Sequence, residues 1–385
     1  MKRLKLAILG TVLALGGCDT IKLLVNLPKD NNVLFWTQDQ RDLAFRATEK
    51  LTKTRTIAAG GPVHAFGRGT PIKLDLDIDA FMKSQRTAGL VIVHNDMIRF
   101  EKYGLDFGPE GRWTSFSVAK SLTSTMVGAA VKDGYIKSLD DKVTQYIPTL
   151  RGSVYDDVTV RQLLTMTSGA KWNEDYADPQ SDVARFQLQK PVEGEDVTVS
   201  YMKKLTREAP AGTKWVYKTG ETNLIGVLVS SATGKKLGEY LSEKVWKPYG
   251  MERDAYWVLG DTGHEIAGCC LAASTRDFAR FGQFVMDGGM AGGKRVVPDD
   301  WFAAATIKQA DIAQPGRGYG YQWWTYDDGS YSAQGIFGQG IFIDPKRKLV
   351  IASNGNWLKA TDPDTVGAER ERFYKAVQAA VDAGR

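Results

Sequence analysis

Trp113-Thr114-Ser115-Phe116-Ser117-Val118-Ala119-Lys120-Ser121-Leu122-Thr123-Ser124 decides how this 385-residue chain is read. It sets a hydroxyl and an amine, Ser117 and Lys120, at the start of one apolar helix. Side chains at i and i+3 share a helical face, so the amine can take the hydroxyl proton while that oxygen attacks a carbonyl. Only a neutral lysine can do this. Burial among Val118, Ala119, Leu122 and Met126 disfavours the ammonium, and the positive helix N-terminus disfavours it further. Residues 117–131 are apolar nearly all round, with Gly134 as a C-cap, which predicts a helix buried at the centre of the fold.

Ser-x-x-Lys is a common spacing, and a second copy, Ser200-Tyr201-Met202-Lys203, runs into Lys204, Arg207 and Glu208. Its lysine is expected on a solvated face, charged at neutral pH.

Outward from the nucleophile, residues 89–94 and 97–103 flank Asn95-Asp96 and read as a β-hairpin. From about 139 to 300 the signals are mostly helical: 160–166, 197–205, 223–232, 237–246 and 275–287. Strands return at 320–326, 331–335, 338–343 and 349–353, and a last helix spans about 368–381. The expected fold is α+β: an antiparallel sheet flanked by helices, with an inserted, mainly helical subdomain. The sheet part falls at about 72–112 and 313–385 and the helical part at about 113–312. Between the two is the usual place for a cleft.

The amino terminus carries Lys2, Arg3 and Lys5, an apolar run from Leu6 to Gly17, and Leu15-Gly16-Gly17-Cys18. The run is short for a membrane span and suits a cleaved export signal. It resembles a bacterial lipoprotein signal, which implies removal of residues 1–17, acylation of Cys18 and a membrane-anchored protein of the cell envelope. Asp19 resembles the residue that retains lipoproteins at the inner membrane, which places the chain on its periplasmic face. Loss of Lys2, Arg3 and Lys5 takes the formal charge from +5 to +2, and no nucleic-acid partner is implied. Residues 18–71 read as a tether and an amino-terminal extension packed on the main body. Cys269 and Cys270 cannot staple distant segments and are read as two small buried side chains rather than a vicinal disulfide or a reactive thiol.

Acyl transfer also needs a proton donor for the leaving group and donors for the oxyanion. Trp215-Val216-Tyr217-Lys218-Thr219-Gly220-Glu221-Thr222-Asn223 carries a tyrosine just before a helix. With Ser117, Lys120 and the strands at 331–343, it resembles the class C branch of the serine beta-lactamase-like superfamily, nearest to 6-aminohexanoate-dimer hydrolases and related esterases. Leu163-Leu164-Thr165-Met166-Thr167-Ser168-Gly169, Glu174-Asp175-Tyr176-Ala177-Asp178-Pro179 and Gly338-Gln339-Gly340-Ile341-Phe342-Ile343-Asp344-Pro345 support it. The resemblance implies that Ser117 is acylated, Lys120 is its base and Tyr217 relays the proton. It further implies an oxyanion hole from the backbone N–H groups of Ser117 and Ile336, with Gly335, Phe337 and Thr219 contacting substrate.

Two departures bear on substrate. Ala333-Gln334-Gly335 stands where relatives have Lys-x-Gly or His-x-Gly, so Ala333 offers no cation for a substrate carboxylate. Thr219 stands where many relatives have asparagine, and a single hydroxyl cannot donate like an amide. Both weigh against penicillin turnover and favour a linear amide or ester. Tyr176 reads either as a flap residue over the scissile group or as a packed loop aromatic. His264, Glu265, Trp323 and Phe337 are candidate pocket residues whose default is packing or solvent contact.

No Gly-x-Ser-x-Gly elbow accompanies His64, His94 and His264, which excludes a serine–histidine–aspartate elbow hydrolase. Nor is there a metal-ligand pattern, and no cofactor is called for. The other readings are a beta-lactamase or D-amino-acid peptidase, or a penicillin-binding-like envelope protein with little or no catalysis.

Overall fold

The computed structural model describes residues 32–190 and 192–384, so the amino-terminal signal and Cys18 lie outside the described residues. In the strand Thr87–His94, Leu90 and Ile92 face one way and Val91 and Val93 the other, all fully buried. Alternate strand residues point to opposite faces, so such an apolar run is a strand covered on both sides. It pairs antiparallel with Met97–Tyr103 through Asn95 and Asp96, whose φ angles of 51° and 59° suit a two-residue hairpin turn.

This hairpin lies within an eight-stranded sheet ordered Arg317–Tyr319, Trp324–Tyr326, Tyr331–Gly335, Gln339–Asp344, Leu349–Gly355, Thr87–His94, Met97–Tyr103, Gly67–Arg68. All neighbours are antiparallel except the last pair. Leu90 and Ile92 pack with Phe81 from the helix Ile78–Ser84 and with Phe373, Tyr374 and Val377 from the helix Ala368–Asp382. Val91 and Val93 belong to the larger core, which holds Phe278, Phe281 and Val285 of Thr275–Met286 and much of the helical block. The architecture is the expected antiparallel sheet flanked by helices.

The helix Ala119–Lys132 is buried from Ala119 to Ala130 and packs on Thr219–Thr233, which ends at Gly234 in the left-handed region, φ 70°. Thr219–Thr233 starts four residues before the predicted 223, which draws Thr219 and Gly220 into the core. The predicted strand 320–326 is broken at Gln322, φ 64°. There the buried Gln322 amide donates to Leu163 O at 3.2 Å and Leu164 O at 2.8 Å and accepts from the Thr222 hydroxyl at 2.6 Å. Those bonds stitch sheet to helical block, and an uninterrupted strand would forgo them.

The extension is more integrated than a packed tether. Thr54–Ile57 pairs with Ala255–Val258 in a four-stranded sheet that also holds Leu271–Ala273 and Trp113–Thr114, directly before the nucleophile turn. Four residues are too few for periodicity to reveal. No helix among the described residues is long and apolar enough to cross a membrane.

Candidate active site

Ser117 lies in a 3-10 turn, Phe116–Val118, that feeds the helix Ala119–Lys132. Phe116 takes φ 42° and packs edge-on against Phe45 and Phe337, so aromatic contacts hold a left-handed residue beside the hydroxyl.

Lys120 is 1% exposed, and its Nζ has three oxygen neighbours: Ser117 Oγ at 3.0 Å, Thr219 Oγ1 at 3.0 Å and Gly268 O at 2.7 Å. Gly268 O can only accept. The Thr219 hydroxyl spends its own proton on Glu174 Oε1, so it too accepts from the amine. A neutral amine has two donors and one lone pair, and after those two bonds the lone pair faces the Ser117 hydroxyl. Burial lowers the Lys120 pKa to about 7, with the Glu174 carboxylate opposing the shift.

Gly268 is fixed from behind, where its N–H donates to Asn223 Oδ1 at 2.7 Å. A Cβ on Gly268 would lie 2.8 Å from Thr219 O, so no side chain fits. The next two residues overturn the expectation of two separate small side chains: Cys269 and Cys270 form a vicinal disulfide. Cys270 adopts φ 69°, a local left-handed turn that the pairing pattern of the sequence does not signal.

Tyr217 sits at the cleft with its ring 5.0 Å from Lys120 Nζ, stacked on Trp324 at 5.5 Å. Burial, then the Glu174 charge, push its phenol well above the usual range, while a side-chain hydrogen bond with Ser117 acts the other way. The phenol is therefore a proton donor at neutral pH.

Ser117, Tyr217, Tyr176, Gly335 and Ile336 line one cleft of about 380 Å³. A Cβ on Gly335 would lie 2.5 Å from Ser115 O, so this glycine lets the strand end reach the nucleophile turn and brings Ile336 alongside. Trp324, Arg317, Gln334, Trp357, Arg370 and Glu371 line the same cleft.

Two expected substrate contacts are corrected. Phe337 is 1% exposed, packed with Phe45 and Phe116 and capped by the Arg41 guanidinium 4.3 Å from its ring; it supports the turn from beneath. Thr219 is 4% exposed, and its hydroxyl is engaged by Lys120 and Glu174, which makes it part of the proton-holding cluster. His264 pairs with Asp196 at 2.8 Å, Glu265 pairs with Arg55 at 2.6 Å, and Trp323 is fully buried, so the packing default describes all three. In the second Ser-x-x-Lys, Ser200 and Lys203 both bond Glu195, at 2.6 Å each.

Glu174 was not singled out from the sequence as a site residue. Its carboxylate accepts from the Tyr176 hydroxyl at 2.8 Å, from Thr219 N at 3.0 Å, and from the Thr219 hydroxyl and the Trp172 indole. It thereby pins the loop bearing Tyr176 to the start of Thr219–Thr233. Nothing in the sequence separates it from the nearby acids Asp175 and Asp178. No cluster of three or more potential metal ligands occurs among the described residues.

Residues 74–375 match the family model described as Beta-lactamase. The chain is 32% identical over 345 residues to the 6-aminohexanoate-dimer hydrolase of Paenarthrobacter ureafaciens, covering 84% of this chain and 86% of that protein. Among solved structures, a Bacillus anthracis protein provisionally named 6-aminohexanoate-dimer hydrolase superposes with TM-score 0.80 at 23% identity, over 93% of this chain and 98% of its own. A family VIII carboxylesterase superposes with TM-score 0.61 at 18% identity, over 79% and 96%. At those identities the two structures speak to the fold.

Proposed function

This chain belongs to the beta-lactamase family, and from that premise we propose that it is a serine hydrolase cleaving a linear amide or ester through an acyl-enzyme on Ser117. The observation that carries the reading is the amine of Lys120, held 3.0 Å from Ser117 Oγ with its two donors already engaged by Gly268 O and Thr219 Oγ1. In acylation, Ser117 Oγ bonds to the substrate carbonyl carbon while its proton passes to Lys120 Nζ. The backbone N–H groups of Ser117 and Ile336 receive the oxyanion. As the carbonyl re-forms, the bond to the leaving nitrogen or oxygen breaks, and that atom takes the Tyr217 phenol proton. Lys120 returns a proton to Tyr217. Water then attacks the acyl carbon, giving up its proton along the same route reversed, and releases the acid and free Ser117.

Two features support amide or ester over penicillin: the absence of a cation at Ala333, and the engagement of the Thr219 hydroxyl by Glu174 and Lys120. The name of the Paenarthrobacter relative points to the same class of linear amide. We place the enzyme at the cell envelope, anchored through Cys18, on the strength of the amino-terminal sequence.

The test is covalent labelling by a fluorophosphonate together with turnover of p-nitrophenyl esters, 6-aminohexanoate oligomers and nitrocefin. Wild type is expected to label and to turn over esters or oligomers, and Ser117→Ala to do neither. Undiminished labelling of Ser117→Ala would remove Ser117 from the mechanism.

A further inference from the structure

Residues 266–271 run beside the helix Ala119–Lys132, and every carbonyl of this strap has a donor. Ala267 O accepts from the Thr123 hydroxyl at 2.8 Å, Gly268 O from Lys120 Nζ at 2.7 Å and Leu271 O from Ser115 N at 2.7 Å. Leu271 N returns a bond to Ser115 Oγ at 3.1 Å. Toward the four-stranded sheet, the buried Trp257 indole donates to Ile266 O and Cys269 O at 3.0 Å each, and Val258 N donates to Cys270 O at 3.1 Å. One short segment thus holds Ser115, Lys120 and Thr123, on either side of Ser117 in the chain.

Within the strap stands the Cys269–Cys270 disulfide, with Cys270 at φ 69°. A side chain other than glycine enters that left-handed region at a cost, so cysteine on its own would favour another angle. Joining neighbouring sulfurs closes a small ring around their shared peptide unit, and neither residue can then rotate alone. Once the ring opens, Cys270 is free to leave the left-handed region, and the carbonyls beside it turn as it goes. Gly268 O lies one residue before the ring, and it is the acceptor that occupies one donor of Lys120 and so helps to aim the amine lone pair at Ser117 Oγ.

We propose that the Cys269–Cys270 disulfide is a positioning element of the active site, holding Gly268 O against Lys120 so that hydrolysis runs at full rate only while the pair is oxidised. The inference rests on Lys120 as the base of Ser117. The redox step balances with a dithiol. Its two S–H bonds and the Cys269–Cys270 S–S bond break, two cysteine thiols form, and the reductant closes to its own disulfide.

The full chain is compared before and after dithiothreitol, with mass spectrometry confirming thiols at Cys269 and Cys270. Reduction is expected to lower kcat/KM for p-nitrophenyl butyrate about 10- to 100-fold. A carbonyl accepts more strongly from an ammonium than from an amine, so loss of Gly268 O should also move the midpoint of the pH profile to lower pH. The other titratable groups about Lys120 are Glu174, through Thr219, and the Tyr217 phenol, and the strap hydrogen-bonds neither among the described residues. Two double variants make the test independent of reductant access. Cys269→Ala/Cys270→Ala should share the loss and ignore dithiothreitol, whereas Cys269→Ala/Cys270→Gly should regain part of the rate, because glycine takes the left-handed angle freely. Reduced protein and both variants within about twofold of oxidised wild type would overturn the proposal, as would a lower rate with the midpoint unmoved or raised. Hydrogen exchange reads the strap without turnover. The Gly268 and Cys269 amides, which donate to Asn223 Oδ1 and Ile266 O, should exchange faster once the pair is reduced or replaced by alanines, and unchanged exchange counts against the proposal. Faster exchange in a protein that hydrolyses no ester in either state would instead strike the reading of Ser117 alone.

Discussion

Lys120 and Lys218 are both sealed from solvent, at 1% and 0% exposure, yet they are built for opposite purposes. Lys218 Nζ lies 3.8 Å from the equally buried Glu221 carboxylate and donates to Val216 O at 3.2 Å. Lys120 Nζ touches only uncharged oxygens, and the acid that influences it, Glu174, reaches it through the Thr219 hydroxyl. Burial disfavours any ammonium; a carboxylate in direct contact restores it. What separates the proposed base from the fastener is the contact that Lys120 lacks.

The largest expected effect tests the first half of that contrast. Lys120→Met keeps the apolar stem and removes the amine, so kcat/KM for esters should fall by at least about 10³-fold. The same variant should be more stable. The Lys120 pKa is about 7 in the fold against 10.5 for a free lysine side chain, so the unfolded chain binds more protons between those values. Wild-type stability therefore rises with pH through that window, and below about 7 the full burial cost is present. Removing the amine removes that cost, although Gly268 O loses its donor. A net gain of about 1–3 kcal/mol at pH 7 is expected in urea unfolding, with a flatter pH profile. A destabilised variant would mean that the amine is held as an ion.

Lys218→Met should act in the opposite sense. It strands Glu221, whose pKa burial already raises and Lys218 opposes, and leaves it the Ser168 and Tyr155 hydroxyls as partners. Losing one partner of a buried pair costs about 3–5 kcal/mol, and the loss should shrink at acid pH as Glu221 takes up a proton. Because Lys218 adjoins Tyr217, hydrolysis should fall with it, while fluorophosphonate labelling of the protein that remains folded persists. Unchanged unfolding midpoints in both variants would erase the distinction between the two lysines.

How much of this was legible in the sequence follows the range of the interactions. Ser117 and Lys120 are three residues apart, one in a 3-10 turn and the other in the helix it feeds, and the apolar run around them announces the burial. The hairpin shows as an apolar run, 89–94, and a second stretch, 97–103, on either side of Asn95-Asp96, and the returning strands as short apolar runs between turn residues, so the sheet was readable as well. The break at Gln322 was not, because it answers to carbonyls of Leu163 and Leu164 some 159 residues away. Glu174 was hidden for the same reason. It is an ordinary surface-type residue in its own segment and gains meaning only where the fold sets it beside Thr219. Phe337 was open between pocket and packing, and the tight turn after Gly335, with Phe337 at φ 61°, turns the ring inward and makes it packing.

The smallest effect is the most discriminating, since it asks whether Glu174 tunes Lys120 from one residue away. The Glu174 charge raises the Lys120 pKa, so Glu174→Gln should lower it further. The base is active when deprotonated, so kcat/KM climbs with pH to a plateau, and in wild type the midpoint of that climb falls near the Lys120 pKa of about 7. In the variant the midpoint should move to lower pH. The substitution also turns one acceptor into a donor, and an amide nitrogen in the place of Oε2 can accept from neither Thr219 N nor the Trp172 indole. The loop bearing Tyr176 therefore loses a tie, and the plateau should drop by about tenfold while the midpoint shifts. The two readouts separate charge from anchoring. A lower plateau with an unmoved midpoint would make Glu174 a fastener like Lys218, whereas a displaced midpoint makes it the residue that sets where the base begins to work.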